Sequence, residues 1–273
     1  MRIYTLFLFC LLCTGPAFSQ TYMEYLEKSY DYLEKDDLFA AEESVRAAMR
    51  LEPGHPYNYA LLVNLGTIQR RQGKYEDAVI SYTAALSRKM DNVSILESRA
   101  SLYVEMGETE KAMNDYNMLI SIDPLNEDAL YCRGLLYLQE KSFLWAEQDF
   151  DRILEINDKT VKGRLGHAVL EKMRENYDES ERIYNYLISQ RPKDWHLYES
   201  RADLYFMMGK NARAMSDLNK IFAETEPNAA LYVLRGKVKL AQYEKASAAK
   251  DFLQAKEMGY DEAIIDELLK MTK

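Results

Sequence analysis

The chain has 273 residues, of which 48% are hydrophobic, while only 11 are glycine and 6 are proline. This composition is too apolar for a disordered chain and too poor in turn-forming residues for an all-β protein, so it indicates a mainly helical fold. The formal net charge of −9 argues against a general nucleic-acid binder, because phosphate contacts need clustered lysine and arginine.

The N-terminus has the pattern of a secretory signal peptide. One basic residue, Arg2, precedes an apolar run from Ile3 to Cys13, and Ala17 to Ser19 fits a small-x-small cleavage site. The run is too short to span a membrane comfortably. We therefore expect residues 1–19 to be removed and the mature protein to be exported, to the periplasm or as a secreted protein.

The cysteines bear on membrane attachment and on stability. A lipid anchor on Cys10 or Cys13 is the less favoured alternative to cleavage, because bulky residues precede both, where lipoprotein signals usually place a small one. Cys132 alone remains after residue 19, so the sequence predicts no intramolecular disulfide in the mature protein. No later segment approaches about 18 uninterrupted apolar residues, which predicts a mature chain without a membrane span.

From Tyr22 to Glu262 the sequence repeats with a period of 34 residues. A three-residue insertion, 56–58, separates the first copy from the second. Three columns define the register. The first holds small residues: Ser29, Gly66, Ala100, Gly134, Ala168, Ala202 and Gly236. Twelve positions later stand Ala41, Ala78, Ala112, Ala146, Ser180, Ala214 and Ala248. Four positions further on stand Val45, Tyr82, Tyr116, Phe150, Tyr184, Leu218 and Phe252.

Each copy has the pattern of a helical hairpin. About 14 residues with helical apolar spacing precede a turn, which contains glycine in the clearest copies, and about 15 helical residues follow. One such hairpin cannot cover its own apolar faces, so the copies must stack into a solenoid. A final amphipathic helix is expected to cap the stack with Ile264, Ile265, Leu268 and Leu269 facing inward. After the signal peptide, residues 20–273 thus form hairpins at approximately 22–55, 59–92, 93–126, 127–160, 161–194, 195–228 and 229–262, with the cap at 263–273.

The clearest copy, LGTIQRRQGKYEDAVISYTAAL from Leu65 to Leu86, resembles the tetratricopeptide repeat family. The matching residues are Leu65, Gly66, Gly73, Tyr75, Ala78, Tyr82 and Ala85. The resemblance covers nearly all of the mature chain and implies an all-α fold, a right-handed superhelical solenoid of seven hairpins with a C-terminal capping helix. The fifth copy departs most from the family pattern, and we expect some irregular packing at Arg164, His167, Glu171 and Ser180.

Charged residues also follow the repeat. One column holds Arg99, Arg133, Arg201 and Arg235, and sixteen residues later the same copies hold Asp115, Asp149, Asp217 and Asp251. The other three copies lack both the arginine and the aspartate. Both positions lie about eight residues from the turn, hence about 12 Å from the bend at 1.5 Å per residue. The pattern predicts four ion pairs within hairpins; an anion-binding ladder is the less favoured alternative, because each arginine has an acid nearby.

Residues suited to catalysis or metal binding are few. His196, Glu199 and Asp203 share one helical face, but three surface polar residues on a helix are ordinary. Cys132 is more readily explained as a small packing residue than as a nucleophile. No phosphate loop, glycine-rich fingerprint or zinc spacing occurs. We therefore expect no catalysis, no cofactor and no bound metal, with a metal-dependent enzyme around His196 as the remote alternative.

The family resemblance implies that the first helices line a concave groove that binds a protein or peptide. Carried over copy by copy, the groove comprises Val63, Thr67, Arg70, Glu97, Ser101, Tyr131, Leu135, Leu138, Leu165, Val169, Lys172, His196, Glu199, Asp203, Phe206, Val233, Lys237 and Leu240. Its middle is apolar, and solvent-facing apolar side chains favour a binding partner. The expected function is a non-catalytic scaffold or adaptor of the cell envelope that binds an apolar peptide or helix. Acidic groove residues would attract basic side chains of that partner.

Two other interpretations stay open. The groove side chains could simply pack between neighbouring first helices. Alternatively, the protein could be a structural subunit of a larger envelope assembly that uses its convex or end surfaces.

Overall fold

A computed structural model describes residues 17–273, with side chains from Thr21 onward. The signal-peptide prediction falls mainly on residues 1–16, outside the described residues, and it stays a prediction. No helix between Ala17 and Met271 is long and apolar enough to cross a membrane.

The part of the chain that the structure describes folds into helices without strands. Fifteen helices follow one another, most of them 13 or 14 residues long. They are α1 Ala17–Glu34, α2 Leu38–Leu51, α3 Asn58–Arg71, α4 Tyr75–Arg88, α5 Val93–Glu105, α6 Thr109–Ile122, α7 Glu127–Gln139, α8 Phe143–Ile156, α9 Val161–Met173, α10 Tyr177–Gln190, α11 Trp195–Met207, α12 Asn211–Glu224, α13 Ala229–Ala241, α14 Lys245–Glu257 and α15 Glu262–Met271.

Consecutive helices pack as hairpins, which confirms the all-α repeat architecture. Each odd-numbered helix from α1 to α13 makes its most extensive contacts with the helix that follows it. The chain divides into two compact units: unit 1 ends at Asn126, and unit 2 runs from Glu127 to Lys273. Unit 1 contains the first three hairpins, and unit 2 contains the other four with α15. The division coincides with the predicted boundary between the third and fourth copies.

The columns of small residues lie where paired helices approach each other. An ideal Cβ atom built on Gly134 would lie 2.4 Å from Cε1 of Phe150, and one on Gly236 would lie 2.4 Å from Cε1 of Phe252. The aromatic ring of the second helix thus occupies the space that a first-helix side chain would need. These phenylalanines are fully buried, so the paired columns form the core of each hairpin.

Local hydrogen bonding and close packing accommodate the unusual residues of the fifth copy. Ser180 stands where other copies have alanine, and its buried hydroxyl donates to the carbonyl of Ala168 at 2.7 Å. In α9, Gly166 approaches α8 so closely that an ideal Cβ would lie 2.3 Å from Cδ1 of Phe150. Phe150 therefore lies between glycines of two hairpins, Gly134 and Gly166, and this close approach requires both.

The turns within the hairpins need a left-handed residue. Gly107 and Gly209 supply it at φ +73° and +70°. Four copies use other residues at the equivalent position, Asp36 at φ 59°, Lys141 at 57°, Glu175 at 63° and Tyr243 at 65°. The Cβ atom makes this conformation unfavourable for any residue other than glycine, so these four turns carry backbone strain.

Helix α15 covers the end of unit 2, but only one of its faces is buried. Ile265 is fully buried with Phe252, and Leu268 and Leu269 pack against the same cluster. Ile264 is 48% exposed, so the expectation that it faces inward is wrong. It is adjacent to Ile265, about 100° around the helix, and so it faces away from the cluster that covers Ile265.

Candidate partner-binding surfaces and the ion pairs beneath them

Each column arginine contacts the aspartate sixteen residues later. Nε and Nη2 of Arg201 donate to the two carboxylate oxygens of Asp217, both at 2.7 Å. The same two-pronged geometry joins the other pairs, with closest distances of 2.6–2.7 Å: Arg99–Asp115, Arg133–Asp149 and Arg235–Asp251. All four aspartates are buried, so each pair fixes how its two helices meet.

Some arginines also reach the preceding hairpin. Nη1 of Arg99 donates to the hydroxyl of Thr83 at 2.9 Å, and Nη1 of Arg201 donates to Oδ1 of Asn185 at 2.6 Å. Arg235 lies over the ring of Phe222, 3.6 Å from its centroid. These side chains connect three helices of two hairpins. The sequence reasoning missed this link, although a polar residue sixteen positions before the arginine was the available signal.

His167 occupies the arginine column of the fifth copy and keeps only the link to its neighbour. Its Nε2 lies 2.9 Å from Oδ1 of Asp151, sixteen residues earlier. The position sixteen residues later is Ile183, which offers no acid. The fifth copy therefore lacks the tie within the hairpin that four other copies have.

Burial and ion pairing shift the pKa values of these charged groups in opposite directions. Burial raises the pKa of the Asp149 carboxyl above its ordinary value, and the hydrogen bonds from Arg133 offset this only in part. The hydrogen bonds to Asp115 raise the pKa of the Arg99 guanidinium, although burial lowers it. A buried partner left alone would thus be costly, whereas the pair is tolerated.

In unit 1, the first-helix residues assigned to a groove are largely engaged with their neighbours. The hydroxyl of Thr67 donates to the Val63 carbonyl at 3.0 Å and lies 3.1 Å from the hydroxyl of Tyr82. Nε of Arg70 donates to Glu105 of α5 at 2.8 Å. Two further assigned residues differ in exposure: Glu97 is exposed and Ser101 is half-buried.

In unit 2, the corresponding surface is more apolar and partly open. Most of its assigned residues are half-buried: Tyr131, Leu135, Leu165, Val169, Lys172, Glu199, Asp203, Phe206, Lys237 and Leu240. Burial raises the pKa of Tyr131 to about 12. Two methionines of the same surface, which stand in one register position of α9 and α11, are more open: Met173 is 38% exposed and Met207 49%.

Two of the assigned residues do not line a surface. Leu138 is 2% exposed and Val233 is 3% exposed, so both belong to the core. Val233 packs with Phe252 and Ile265, because it points toward the second helix of its hairpin and the cap. Their assignment to the groove is therefore wrong.

The polar face at the start of α11 does not assemble as a metal site. His196 is almost fully exposed, and its Nδ1 lies 3.7 Å from Glu199. Asp203 instead accepts a hydrogen bond from Nζ of Lys172 at 2.9 Å. Among residues 17–273, no group of three or more His, Cys, Asp or Glu side chains is placed to hold a metal ion.

Comparison with known proteins identifies the repeat. Family models match residues 100–140 as a TPR repeat and residues 61–94 as a tetratricopeptide repeat. A crystal structure of a tetratricopeptide repeat protein from Parabacteroides merdae ATCC 43184 is 67% identical, with a TM-score of 0.85. It covers 93% of this chain, which in turn covers 99% of that one. The chain belongs to the tetratricopeptide repeat family.

Two more distant proteins are also similar to this chain. Human tetratricopeptide repeat protein 6 is 26% identical over 167 residues, which are 60% of this chain and 32% of that protein. PilW, a type IV pilus biogenesis factor, is 17% identical with a TM-score of 0.61, covering 78% of this chain and 96% of its own. This chain spans about a third of the length of the first curated relatives it matches. Tetratricopeptide repeats generally mediate contacts between proteins.

Proposed function

We propose that this tetratricopeptide repeat protein is a non-catalytic scaffold or adaptor of the cell envelope, which binds a partner protein or peptide on the first helices. The N-terminal signal-like sequence supports export, to the periplasm or beyond the cell. The proposal includes neither a cofactor nor a nucleic-acid ligand.

The partly open methionines of unit 2 carry this proposal. Met173 and Met207 end two successive first helices, and half-buried Val169 and Phe206 lie on the same surface. Thioether side chains are flexible and polarizable, and exposed methionines are common on surfaces that accommodate apolar partners. Burying them against a partner's apolar side chains would supply binding free energy.

The partner is expected to carry apolar residues together with at least one cation. Glu199 forms only a long contact with His196, and it is one of the acids on this face. The Lys172–Asp203 pair is also partly exposed, so a basic side chain of the partner could compete for the Asp203 carboxylate. Such charges would affect specificity and association rate more than affinity.

A photo-crosslinking amino acid placed at position 173 or 207 in the full-length exported protein tests the proposal. We expect adducts with a discrete partner in the native cells. Affinity for that purified partner should fall by about tenfold or more in Met173→Glu/Met207→Glu, which corresponds to ~1.4 kcal/mol. Leu253→Glu is the control, because Leu253 is 49% exposed on the second helix α14.

The outcomes separate the two candidate functions. Equal loss of affinity in the control variant would contradict binding on the first helices. Adducts formed only from second-helix or terminal positions would favour the structural-subunit alternative.

A further inference from the structure

A pair of large apolar residues stands in solvent at the start of α8. Leu144 is 63% exposed and Trp145 is 55% exposed, and both belong to unit 2. They lie on a second helix, so they are not part of the first-helix surface proposed above. Exposed tryptophan is costly in water and is enriched at protein interfaces.

The repeat supplies an internal control for this position. Five of the other described copies place charged or small residues at the equivalent pair: Glu76-Asp77, Glu110-Lys111, Asp178-Glu179, Ala212-Arg213 and Ala246-Ser247. The first copy has Phe39-Ala40. The hairpin fold therefore does not require large apolar side chains here, and only the fourth copy has two.

The contact that Trp145 makes within the fold can be made by a cation. Its ring stacks on Tyr137, with 6.2 Å between the centroids. In the third copy Lys111 lies over Tyr103, 5.7 Å from the ring centroid, and Arg213 occupies the same place in the sixth copy. A lysine would cover Tyr137 equally well. The stability of the hairpin therefore does not explain why position 145 is a tryptophan.

The rim of this apolar pair carries unpaired charge. Arg174 at the end of α9 binds Glu147 of α8 at 2.7 Å, which brings the α9–α10 turn beside the start of α8. The exposed carboxylates of Glu140, Glu175 and Asp178 form no ion pair with any described residue, and neither does Lys141. The unpaired charges of the rim sum to −2, from three acids and one base.

We propose that Leu144, Trp145 and Tyr137 form a second docking surface, which binds a basic amphipathic helix or peptide of a partner protein. The apolar side of such a segment would cover Leu144 and Trp145, and its lysines or arginines would face the carboxylates of the rim. A membrane surface fits less well, because the same carboxylates repel anionic lipid headgroups.

Tryptophan fluorescence of the full mature chain tests this proposal directly. The protein has two tryptophans, so Trp195→Phe leaves Trp145 as the sole reporter. The probe is a synthetic helix of about 18 residues with leucines at i, i+3, i+4 and i+7 and lysines elsewhere. Its counterpart replaces every lysine by glutamate. Vesicles of zwitterionic phosphatidylcholine and of anionic phosphatidylglycerol form the third and fourth arms.

We expect the lysine peptide to shift the Trp145 emission to shorter wavelength with saturation, and the glutamate peptide to leave it unchanged. Raising the salt from about 0.05 to 0.5 M should weaken binding several-fold, because the attraction is screened. The test variant Leu144→Glu/Trp145→Lys copies the pair of the third copy and keeps a cation over Tyr137. With a fluorophore-labelled lysine peptide, it should lose at least about tenfold in affinity. Circular dichroism of this variant should match that of the parent.

Three results would overturn the proposal. They are equal binding of both peptides, an unchanged affinity for the labelled lysine peptide in a folded Leu144→Glu/Trp145→Lys variant, and an emission shift with vesicles but not with peptide. The last result would identify a membrane contact. Trp145 emission reports on this surface and not on the first helices, so the shift with the lysine peptide should persist in Met173→Glu/Met207→Glu, which separates the two surfaces.

Discussion

Removing one partner of a buried ion pair should destabilise the protein far more than removing both. The pair Arg201–Asp217 is the most buried, with side-chain exposures of 13% and 3%. In Asp217→Ala the guanidinium would keep only its bond to Asn185, and water has little access to replace the lost carboxylate. We expect a loss of about 3–5 kcal/mol in the free energy of unfolding. For a chain of this size, that corresponds to a fall in Tm of roughly 6–20 °C.

The double variant distinguishes pairing from simple loss of packing. Arg201→Leu/Asp217→Ser reproduces the Leu65 and Ser81 that the second copy has in these columns. It leaves no charge unpaired, so its stability should lie within about 1–2 kcal/mol of the parent. Urea denaturation followed by circular dichroism at 222 nm measures Asp217→Ala, Arg201→Leu and the double variant. Glu179→Ala, at a partly exposed position, is the control and should change the free energy of unfolding by less than about 1 kcal/mol. A double variant as unstable as the sum of the two single variants would refute the pairing argument.

Three further predictions concern the hairpin turns, the core and the loss of stability at low pH. Lys141→Gly should raise stability by about 0.5–1 kcal/mol because it relieves a left-handed backbone, whereas Gly209→Ala should lower it, and thermal unfolding measures both. Gly166→Ala should cost about 1–2 kcal/mol in urea denaturation, because Phe150 is held between two glycines and cannot move aside; a neutral effect would contradict that packing. The hydrogen bond from Arg174 lowers the pKa of the Glu147 carboxyl. The stabilisation from this pair is therefore present above the pKa of the unfolded state and is lost as the pH falls through the pKa of the folded state. Between pH 7 and pH 3, Glu147→Gln should therefore lose less stability than the parent, and an equal loss would contradict this.

The sequence predicted the repeating part of the structure because each column reports a contact that recurs. A small residue at 134 and an aromatic one at 150 are needed together, since the ring fills the space above the glycine. The same comparison predicted the charged pairs, because arginine and aspartate occur together or not at all. In both cases one chain supplies several independent examples of the same environment.

The sequence did not predict which way some side chains face around a helix, or which residues of neighbouring helices they contact. Leu138 and Val233 were assigned to a surface by register alone, yet both face the core. The apolar pattern places Ile264 inside, but only the side of α15 that carries Ile265 packs against the cluster around Phe252. The hydrogen bond from Arg99 to Thr83 lies outside the predicted pairs, because Thr83 stands two residues after the position that holds aspartate in other copies.

The two proposed surfaces can be identified because the residues that the fold requires are different from the exposed apolar residues. Residues that hold the hairpins together are buried and repeat with the period of the chain. Leu144 and Trp145 are exposed, and no other described copy has two large apolar residues at this pair of positions. The two exposed methionines occur only in adjacent copies. Packing of a single hairpin accounts for neither set, since other copies pack without them. An apolar side chain kept in water at a position where the same fold elsewhere has a charge must be explained by something outside the hairpin, and a binding partner is the explanation that these contacts support.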